Sequence, residues 1–279
     1  FLSHDWPYNI VHKEDIPKLQ LAERMSLEGL SMFSEEVRFV IMGGVERTML
    51  VKALPRKLPD GRVIWDGILS DITDRIKIEQ ALLRLNRLYQ FKSRINDVVI
   101  RSNTKEEVFS KICDIAVRFG KVEMAWIGID NSEKDELIPF KVAGNENGYL
   151  KAIKISGKDV PLGMGPTGRA IRTKTYHYTN DIAHDPLMAP WREEALRRNF
   201  RSSISMPIVV NSELVAVLTM YMTQPNFFNE SEIKLLKEAV DSIAFKLDKM
   251  RLADLHSLAV EELSRSEEMN RSMLNVFPD

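Results

Sequence analysis

The sequence predicts an α+β protein in which antiparallel sheets are flanked by helices. Pairs of strand-like segments, either alternating or continuously apolar, are joined by tight turns, which favours antiparallel pairing. Longer segments between them carry apolar residues at steps of three and four, which indicates amphipathic helices. With 279 residues, of which 44% are apolar, the chain is long enough for two domains with cores of ordinary size.

The first predicted unit, residues 1–75, has one helix followed by three strands. The helix runs from about residue 11 to Gly29, with Glu14 and Asp15 in its first turn, where the helix dipole favours negative charge. The strands are predicted over residues 35–41, 45–56 and 62–73, with turns at 43–44 and 59–61. The chain begins without a start methionine, and we interpret it as a piece of a longer protein.

Three local motifs in this unit are characteristic of one known family. They are Val11-His12 followed by Asp15, Asp60-Gly61 followed by Trp65, and the exit Asp71-Ile72-Thr73. In this order they resemble the C-terminal half of a PAS domain. The first strands of that family, which form most of its cofactor pocket, have no counterpart in the sequence. The resemblance therefore gives this half no complete ligand pocket.

A connector helix is predicted over residues 76–102. Seven apolar residues recur along it at steps of three and four, with no glycine or proline between them: Ile78, Leu82, Leu85, Leu88, Phe91, Ile95 and Val98. Such a stripe is typical of a coiled coil. Thr104 and Glu107 then form a capping box, which predicts the start of the next helix.

The second predicted unit, residues 103–250, carries motifs of another family. They are Gly163-x-Gly165-x-x-Gly168-x-Ala170, Asn180-Asp181-Ile182, Ser202-Ser203 ahead of Pro207, and Phe228-x-x-x-Glu232 before the last helix. A strand with Trp126-Ile127-Gly128 and a strand that ends in Ala143-Gly144 fit the same order. The segment resembles a complete GAF domain, the small-molecule sensing module of signalling proteins. The predicted fold is thus a partial PAS domain and a complete GAF domain joined by a long connector helix.

The GAF resemblance implies a ligand pocket and the side chains that would line it. They are Trp126, Phe140, Tyr178, Asp181, Trp191, Phe200, Ser203 and Met206. A mostly aromatic set with a few polar groups would suit a small organic ligand of unknown identity. The alternative is that the same side chains only fill the core. No other cofactor is predicted.

Three features that could carry other chemistry have simpler explanations. The glycines at 163, 165 and 168 match the dinucleotide fingerprint as a string, but no buried parallel strand precedes them, so a tight turn is the better interpretation. His177 and His184 lack further ligands at metal-binding spacing, so no metal site is predicted, while haem held by one histidine stays open. Cys113 lies among apolar helix residues and is predicted to be buried and inert.

Composition and missing motifs narrow the function classes. Lys plus Arg number 39 against 40 Asp plus Glu, which gives no reason to expect nucleic acid or an anionic membrane as a partner. The sequence has no signal peptide and no apolar run of membrane-spanning length, and its single cysteine fits a reducing compartment, so a cytoplasmic location is predicted. No nucleophile elbow and no kinase, cyclase or phosphodiesterase signature occurs, so the sequence predicts no catalytic residue and no enzyme.

Residues 251–279 are predicted to form an outgoing helix and, from 265, the start of a further PAS-like domain. The sequence thus predicts the sensory region of a bacterial signal-transduction protein that senses a small molecule, redox state or partner. The connector and outgoing helices would form a homodimer and relay the signal to an output domain outside this chain, a histidine kinase or a cyclic di-GMP enzyme. The alternative is a ligand-free structural dimerisation scaffold.

Overall fold

The computed structural model describes residues 8–131 and 136–276. The chain divides into two compact units, Phe1–Leu85 and Asn86–Asp279. Each unit has an antiparallel sheet flanked by helices, which confirms the predicted α+β fold class.

Unit 1 contains one helix, three strands and the first turns of a long helix. They are α1 (Ile16–Gly29), β1 (Phe33–Ile41), β2 (Val45–Lys57), β3 (Val63–Asp71) and α2 (Thr73–Arg101). The strands pair in the order β1-β2-β3. Side chains two apart on a strand share a face, and Val37 and Phe39 of β1 accordingly lie in one core with Leu19 of α1.

Two motif segments of unit 1 hold its helices to the sheet. Arg38 of β1 donates to both carboxylate oxygens of Asp15, at 2.7 and 3.0 Å, and these hydrogen bonds lower the pKa of Asp15 to about 2. At the start of α2, Thr73 Oγ1 accepts a hydrogen bond from the Thr48 backbone N–H at 2.9 Å. The Thr73 backbone N–H in turn donates to Asp71. These contacts give the motif residues structural roles, and the PAS resemblance stays a prediction.

Unit 2 is built on a five-stranded sheet. Its elements after α2 are α3 (Lys105–Arg118), β4 (Met124–Asn131), β5 (Glu136–Gly144), α4 (Tyr149–Ala152), α5 (Pro166–Thr173), β6 (His177–Thr179), α6 (Arg192–Arg197), β7 (Ser202–Val210), β8 (Glu213–Met222) and α7 (Glu230–Val276). The strand order is β5-β4-β8-β7-β6, and every pair is antiparallel. The glycine motif leads from a loop into the first turn of α5 rather than from a parallel strand, so it lacks the structural setting of the dinucleotide fingerprint.

The sheet of unit 2 separates two cores. On one face, α2, α3 and α7 cover the apolar side chains of the central strands, including Met220 and Met222 of β8. On the other face, α4, α5, α6 and their loops cover a second core that includes Val217 and Tyr221 of β8. Successive side chains of a strand point to opposite faces, so β8 contributes to both cores.

Helices α2 and α7 lie side by side and run in the same direction. Arg87 pairs with Glu232, and Lys92 pairs with Glu238 at 2.6 Å, so residue numbers increase together along both helices. The guanidinium of Arg87 also lies 4.9 Å from the centroid of the Phe227 ring. The helix that enters unit 2 and the helix that leaves it therefore form one parallel pair.

The apolar stripes of these two helices are only partly buried. In α2, the later stripe residues Phe91, Ile95 and Val98 lie in the core, whereas Ile78, Leu82 and Leu85 are 64–68% exposed. In α7, residues 251–269 are exposed throughout. Residues 265–276, predicted to begin a further PAS-like domain, continue α7, and 277–279 lie outside the described residues. The further domain stays a prediction.

Candidate ligand site

Half of the predicted pocket residues lie on the short-helix face of unit 2. Trp126, Trp191 and Phe200 are buried in the core beneath α4, α5 and α6. Ser203 of β7 is also buried. It faces the same side, since Ser205, two residues further along the strand, hydrogen-bonds to α5.

Two predicted pocket residues lie on the opposite face of the sheet. Met206 follows Ser203 by three residues on one strand, and alternation therefore turns it into the core beneath the long helices. Phe140 packs edge-to-face on Phe109 of α3, with ring centroids 5.6 Å apart. Their assignment to the pocket is corrected, because the sheet lies between them and Trp126.

The remaining two predicted residues lie at the surface. Tyr178 is 44% exposed on the edge strand β6. The carboxylate of Asp181 is half exposed and lies 2.7 Å from Nδ1 of His184, a contact that lowers the pKa of Asp181. This hydrogen bond stabilises a surface turn and adds no group to the buried site.

Two tyrosines that the sequence analysis missed complete a buried cluster. Tyr149 of α4 and Tyr221 of β8 have ring centroids 5.3 and 4.9 Å from that of Phe200, and 5.3 Å from each other. Trp126 belongs to the same core. We name Trp126, Tyr149, Phe200 and Tyr221 the aromatic site. The alternation of β8 could have revealed Tyr221, whereas the four-residue helix of Tyr149 has no periodic signal.

The aromatic site contains two buried hydrogen-bond donors without an acceptor. Nε1 of Trp126 and the hydroxyl of Tyr149 have no partner among the described residues, although both side chains are at most 1% exposed. Both lie close enough to the Tyr221 hydroxyl to favour its ionised form, but neither meets the geometry of a hydrogen bond to it. Burial raises the pKa of Tyr221 to about 12 and also raises that of Tyr149. All three groups are therefore neutral donors near pH 7.

The charged residues beside the aromatic site neutralise each other. The guanidinium of Arg198 lies 5.4 Å from the centroid of the Tyr149 ring. It is bonded to the carboxylate of Glu194 at 2.7 Å and to the carbonyl of Asn147 at 2.8 Å, and the pKa of Glu194 is lowered by Arg198. These contacts hold α6 to the start of α4 and leave the aromatic site without net charge from this pair.

Trp191 closes the site on the side of α5. Its ring lies directly over Gly165, where an added Cβ would be 2.5 Å from it, and its Nε1 donates to the carbonyl of Lys154 at 2.7 Å. The cavity that remains between Trp191, Met188 and Tyr221 is about 10 Å³. That is at most the space of one water molecule, so the site is closed in this state.

Hydroxyl groups attach α5 to the sheet next to this cavity. Thr167 of α5, Ser205 of β7 and Thr219 of β8 form a closed triangle, with oxygen–oxygen distances of 3.0, 3.3 and 2.9 Å. All three are buried. They satisfy one another, in contrast to the donors of the aromatic site.

A second concave surface lies elsewhere on unit 2. A groove of about 740 Å³ is lined by the start of α3, the β7–β8 turn and α7. It shares no residue with the aromatic site, and no orphaned buried donor or acceptor from the described residues lines it. The smaller aromatic site is therefore the better candidate for selective binding.

The described residues show no other reactive centre. No group of three His, Cys, Asp or Glu side chains among them could hold a metal ion. Cys113 is buried on the long-helix face, where burial raises the pKa of its thiol to about 12. Across the described part of the chain, no helix combines the length and apolarity needed to cross a membrane.

The architecture and the sequence agree on the family of unit 2. Residues 102–248, more than half of the chain, match the family described as GAF domain. The chain belongs to the GAF domain family, as its motifs predicted.

One relative extends the similarity beyond this domain. Over 249 residues the chain is 22% identical to the methyl sulfide methyltransferase-associated sensor of Methanosarcina acetivorans. The match covers 88% of this chain and 24% of the relative. The chain therefore spans about a quarter of that protein's length.

Solved structures with a similar fold include an enzyme. Free methionine-R-sulfoxide reductase from Neisseria meningitidis, in complex with its substrate, has a TM-score of 0.50 at 17% identity, covering 60% of this chain and 91% of that chain. The GAF domain of a phosphoenolpyruvate-protein phosphotransferase from Coxiella burnetii has a TM-score of 0.49 at 13% identity, covering 61% and 97%. At these identities the likeness concerns the fold alone.

The prediction that the chain contains no enzyme is therefore wrong. It relied on missing kinase, cyclase, phosphodiesterase and nucleophile-elbow motifs, yet a reductase has a similar fold. The absence of those motifs therefore does not decide whether a chain of this fold is an enzyme, because function depends on the site rather than on the fold.

Replacing Gly165 with alanine should destabilise unit 2 by about 1–3 kcal/mol. The backbone at Gly165 has φ −67°, which alanine adopts freely, so the cost comes from the Trp191 ring. Hydrogen exchange of the α5 and β7 amides, followed by mass spectrometry, measures it. In a Trp191→Leu background the smaller side chain should reduce the cost of Gly165→Ala by more than half. Equal costs in the two backgrounds would show that the ring is not the obstacle.

Proposed function

We propose that unit 2 is a sensory domain that binds a small organic molecule in the aromatic site and relays its presence through α2 and α7. The observation that carries this proposal is the pair of orphaned donors, Trp126 Nε1 and the Tyr149 hydroxyl. Membership of the GAF domain family supports it, and so does the relative described as a sensor.

An orphaned donor has a cost that a ligand can remove. Each buried group without an acceptor costs about 1–3 kcal/mol, and native proteins contain few such groups. Two of them near the same Tyr221 hydroxyl, among aromatic rings, mark a position where an acceptor from outside the chain would be bound. A molecule that supplies this acceptor stabilises the conformation that holds it.

Strand β8 links the aromatic site to the long helices. Tyr221 belongs to the site, while its neighbours Met220 and Met222 lie in the core with α7. A displacement of Tyr221 on ligand binding would therefore move side chains that contact the helix pair.

Asn180 provides a second link. Its side chain donates to the carbonyl of Phe228 at 2.8 Å and accepts from the Phe228 backbone N–H at 3.0 Å. Phe228 lies just before α7, and Ile182, two residues after Asn180, is buried in the core of the aromatic site. The Asn180-Asp181-Ile182 motif thus joins a wall of the site to the start of α7.

The relay would end in other parts of the parent protein. Exposed apolar residues of α2 and of α7 after residue 250 would pair with a second copy, which gives the homodimer. An output domain outside this chain, a histidine kinase or a cyclic di-GMP enzyme, would receive the signal. The bacterial context, the flanking PAS-like segments and the cytoplasmic location are part of the same proposal. The alternative is a ligand-free dimerisation scaffold.

Removing one hydroxyl from the site should abolish or weaken ligand capture. The chain is incubated with a small-molecule extract of cells and analysed by native mass spectrometry. A bound mass is expected on the unaltered chain and on Tyr178→Phe, a control that removes an exposed hydroxyl. Tyr149→Phe keeps the ring but loses the donor, so occupancy should fall about tenfold. The scaffold alternative is supported instead if the unaltered chain retains no small molecule.

Charges on the exposed part of the α2 stripe should weaken the dimer. The seam is limited to Ile78, Leu82 and Leu85, because the later stripe residues are buried within unit 2 or, like Leu88, half-buried. Leu82→Glu with Leu85→Glu should shift the chain towards monomer in sedimentation velocity, since like charges would meet across the seam.

Leu83→Glu is the matched control for this experiment. Leu83 is 64% exposed, as are Leu82 and Leu85, but it lies beside the stripe. The control should leave the dimer intact. An equal response of both variants, or no response of either, would contradict a seam at these positions.

A further inference from the structure

We propose that the aromatic site selects a small uncharged molecule that carries one strongly accepting oxygen on an otherwise apolar skeleton. This inference rests on the proposed function and narrows it to a ligand class. It follows from three properties of the site, which are the hydrogen-bonding character, the charge and the size.

Each polar group of the site can donate a hydrogen bond. Nε1 of Trp126 is a donor only, and it has no acceptor among the described residues. The hydroxyl of Tyr221 lies beside it, and the hydroxyl of Tyr149 lies beside that of Tyr221. Burial keeps both phenols protonated, so each has a proton to give. An oxygen atom with two lone pairs can accept from two of these donors at once, which a ligand that only donates cannot do.

The site has no charge to balance a charged ligand. The nearest cation described, Arg198, already binds the Glu194 carboxylate and the Asn147 carbonyl. A carboxylate or phosphate would therefore lose its hydration without gaining a free counter-ion, which is costly in an apolar core. A cation would face the positive ends of an N–H and two O–H dipoles.

The rings leave no preformed cage for a quaternary ammonium group. Such a group sits over several aromatic faces at once. Here Tyr149 stands edge-on to Phe200 and to Tyr221, at interplanar angles of 86° and 77°. The Arg198 guanidinium already lies 5.4 Å from the centroid of the Tyr149 ring, so a second cation would have to separate the rings from one another.

The closed state also limits the ligand to a few heavy atoms. The rings are in van der Waals contact, and the adjoining cavity of about 10 Å³ ends at Trp191 and Met188. A ligand enters by shifting these side chains, and a compact apolar skeleton minimises that rearrangement. Small ketones, tertiary amides and sulfoxides share the required chemistry.

Four probes of similar size separate the possibilities. They are N,N-dimethylacetamide, acetate, tetramethylammonium and dimethyl sulfide, which are a neutral oxygen acceptor, an anion, a cation and a neutral molecule without oxygen. The readout is the indole N–H resonances of the ¹⁵N-labelled full chain, with that of Trp126 assigned from Trp126→Phe. Trp65 serves as internal reference, because it lies on β3 of unit 1, outside the unit that contains the aromatic site.

Only dimethylacetamide is expected to move the Trp126 resonance downfield in a saturable way, while the Trp65 resonance reports general solvent effects. In Tyr149→Phe the apparent Kd should rise about tenfold, and in Tyr178→Phe it should not change. A larger saturable shift with acetate, tetramethylammonium or dimethyl sulfide overturns the ligand class and leaves the sensory function standing. If no probe produces a saturable shift of Trp126, the ligand class and the aromatic site as a sensor both fail.

Discussion

The alternation of side chains along β8 is the constraint on which unit 2 depends. This strand lies in the middle of the sheet, between β4 and β7. It presents Thr219 and Tyr221 to the short-helix face, and Met220 and Met222 to the core beneath the long helices. Both cores are closely packed, and packed cores shift between discrete arrangements rather than deform smoothly. In the proposed relay, a displacement in the aromatic site would reach the helix pair through this strand, in addition to the Asn180 link.

The two faces have different chemistry, and that difference separates stability from function. The long-helix face is filled by aliphatic side chains, phenylalanines, methionines and Cys113, and the helix pair is reinforced by Arg87–Glu232, whose side chains are both mostly buried. The short-helix face contains a satisfied hydroxyl triangle and, next to it, unsatisfied donors. A fold tolerates such orphaned groups where function requires them and offsets their cost elsewhere.

The sequence predicts the elements of this fold better than it predicts the site. The capping box is observed as expected, with the Glu107 backbone N–H bonded to Thr104 Oγ1 and the Asn103 N–H bonded to the Glu107 carboxylate. Local patterns of this kind depend on neighbours in the chain, which the sequence contains. The GAF motifs likewise predicted the correct family for unit 2. They are short local patterns that the conformations of turns and helix starts require.

The site was only half predicted, because a pocket is assembled from distant segments. Because side chains alternate between the two faces of a strand, Met206 could have been excluded from a pocket that contains Ser203. The same rule could have added Tyr221 to that pocket. By contrast, no pattern in the sequence places Tyr149, since a four-residue helix is positioned by its tertiary contacts. The apolar stripe of α2 shows the same limit. Its period was predicted correctly, but the sequence does not show which part of the stripe is buried against the sheet and which part is exposed. That depends on where α2 meets α7.

The proposed relay requires that the aromatic site and α7 are coupled across the sheet through β8. A double-mutant cycle on the free energy of unfolding of unit 2, between Phe200→Leu in the site and Ile243→Val in α7, tests it most directly. The two residues belong to separate cores, and substitutions without shared partners normally add within about 0.3–0.5 kcal/mol. We expect an interaction free energy above about 0.5 kcal/mol. Simple additivity of the two substitutions would contradict the account.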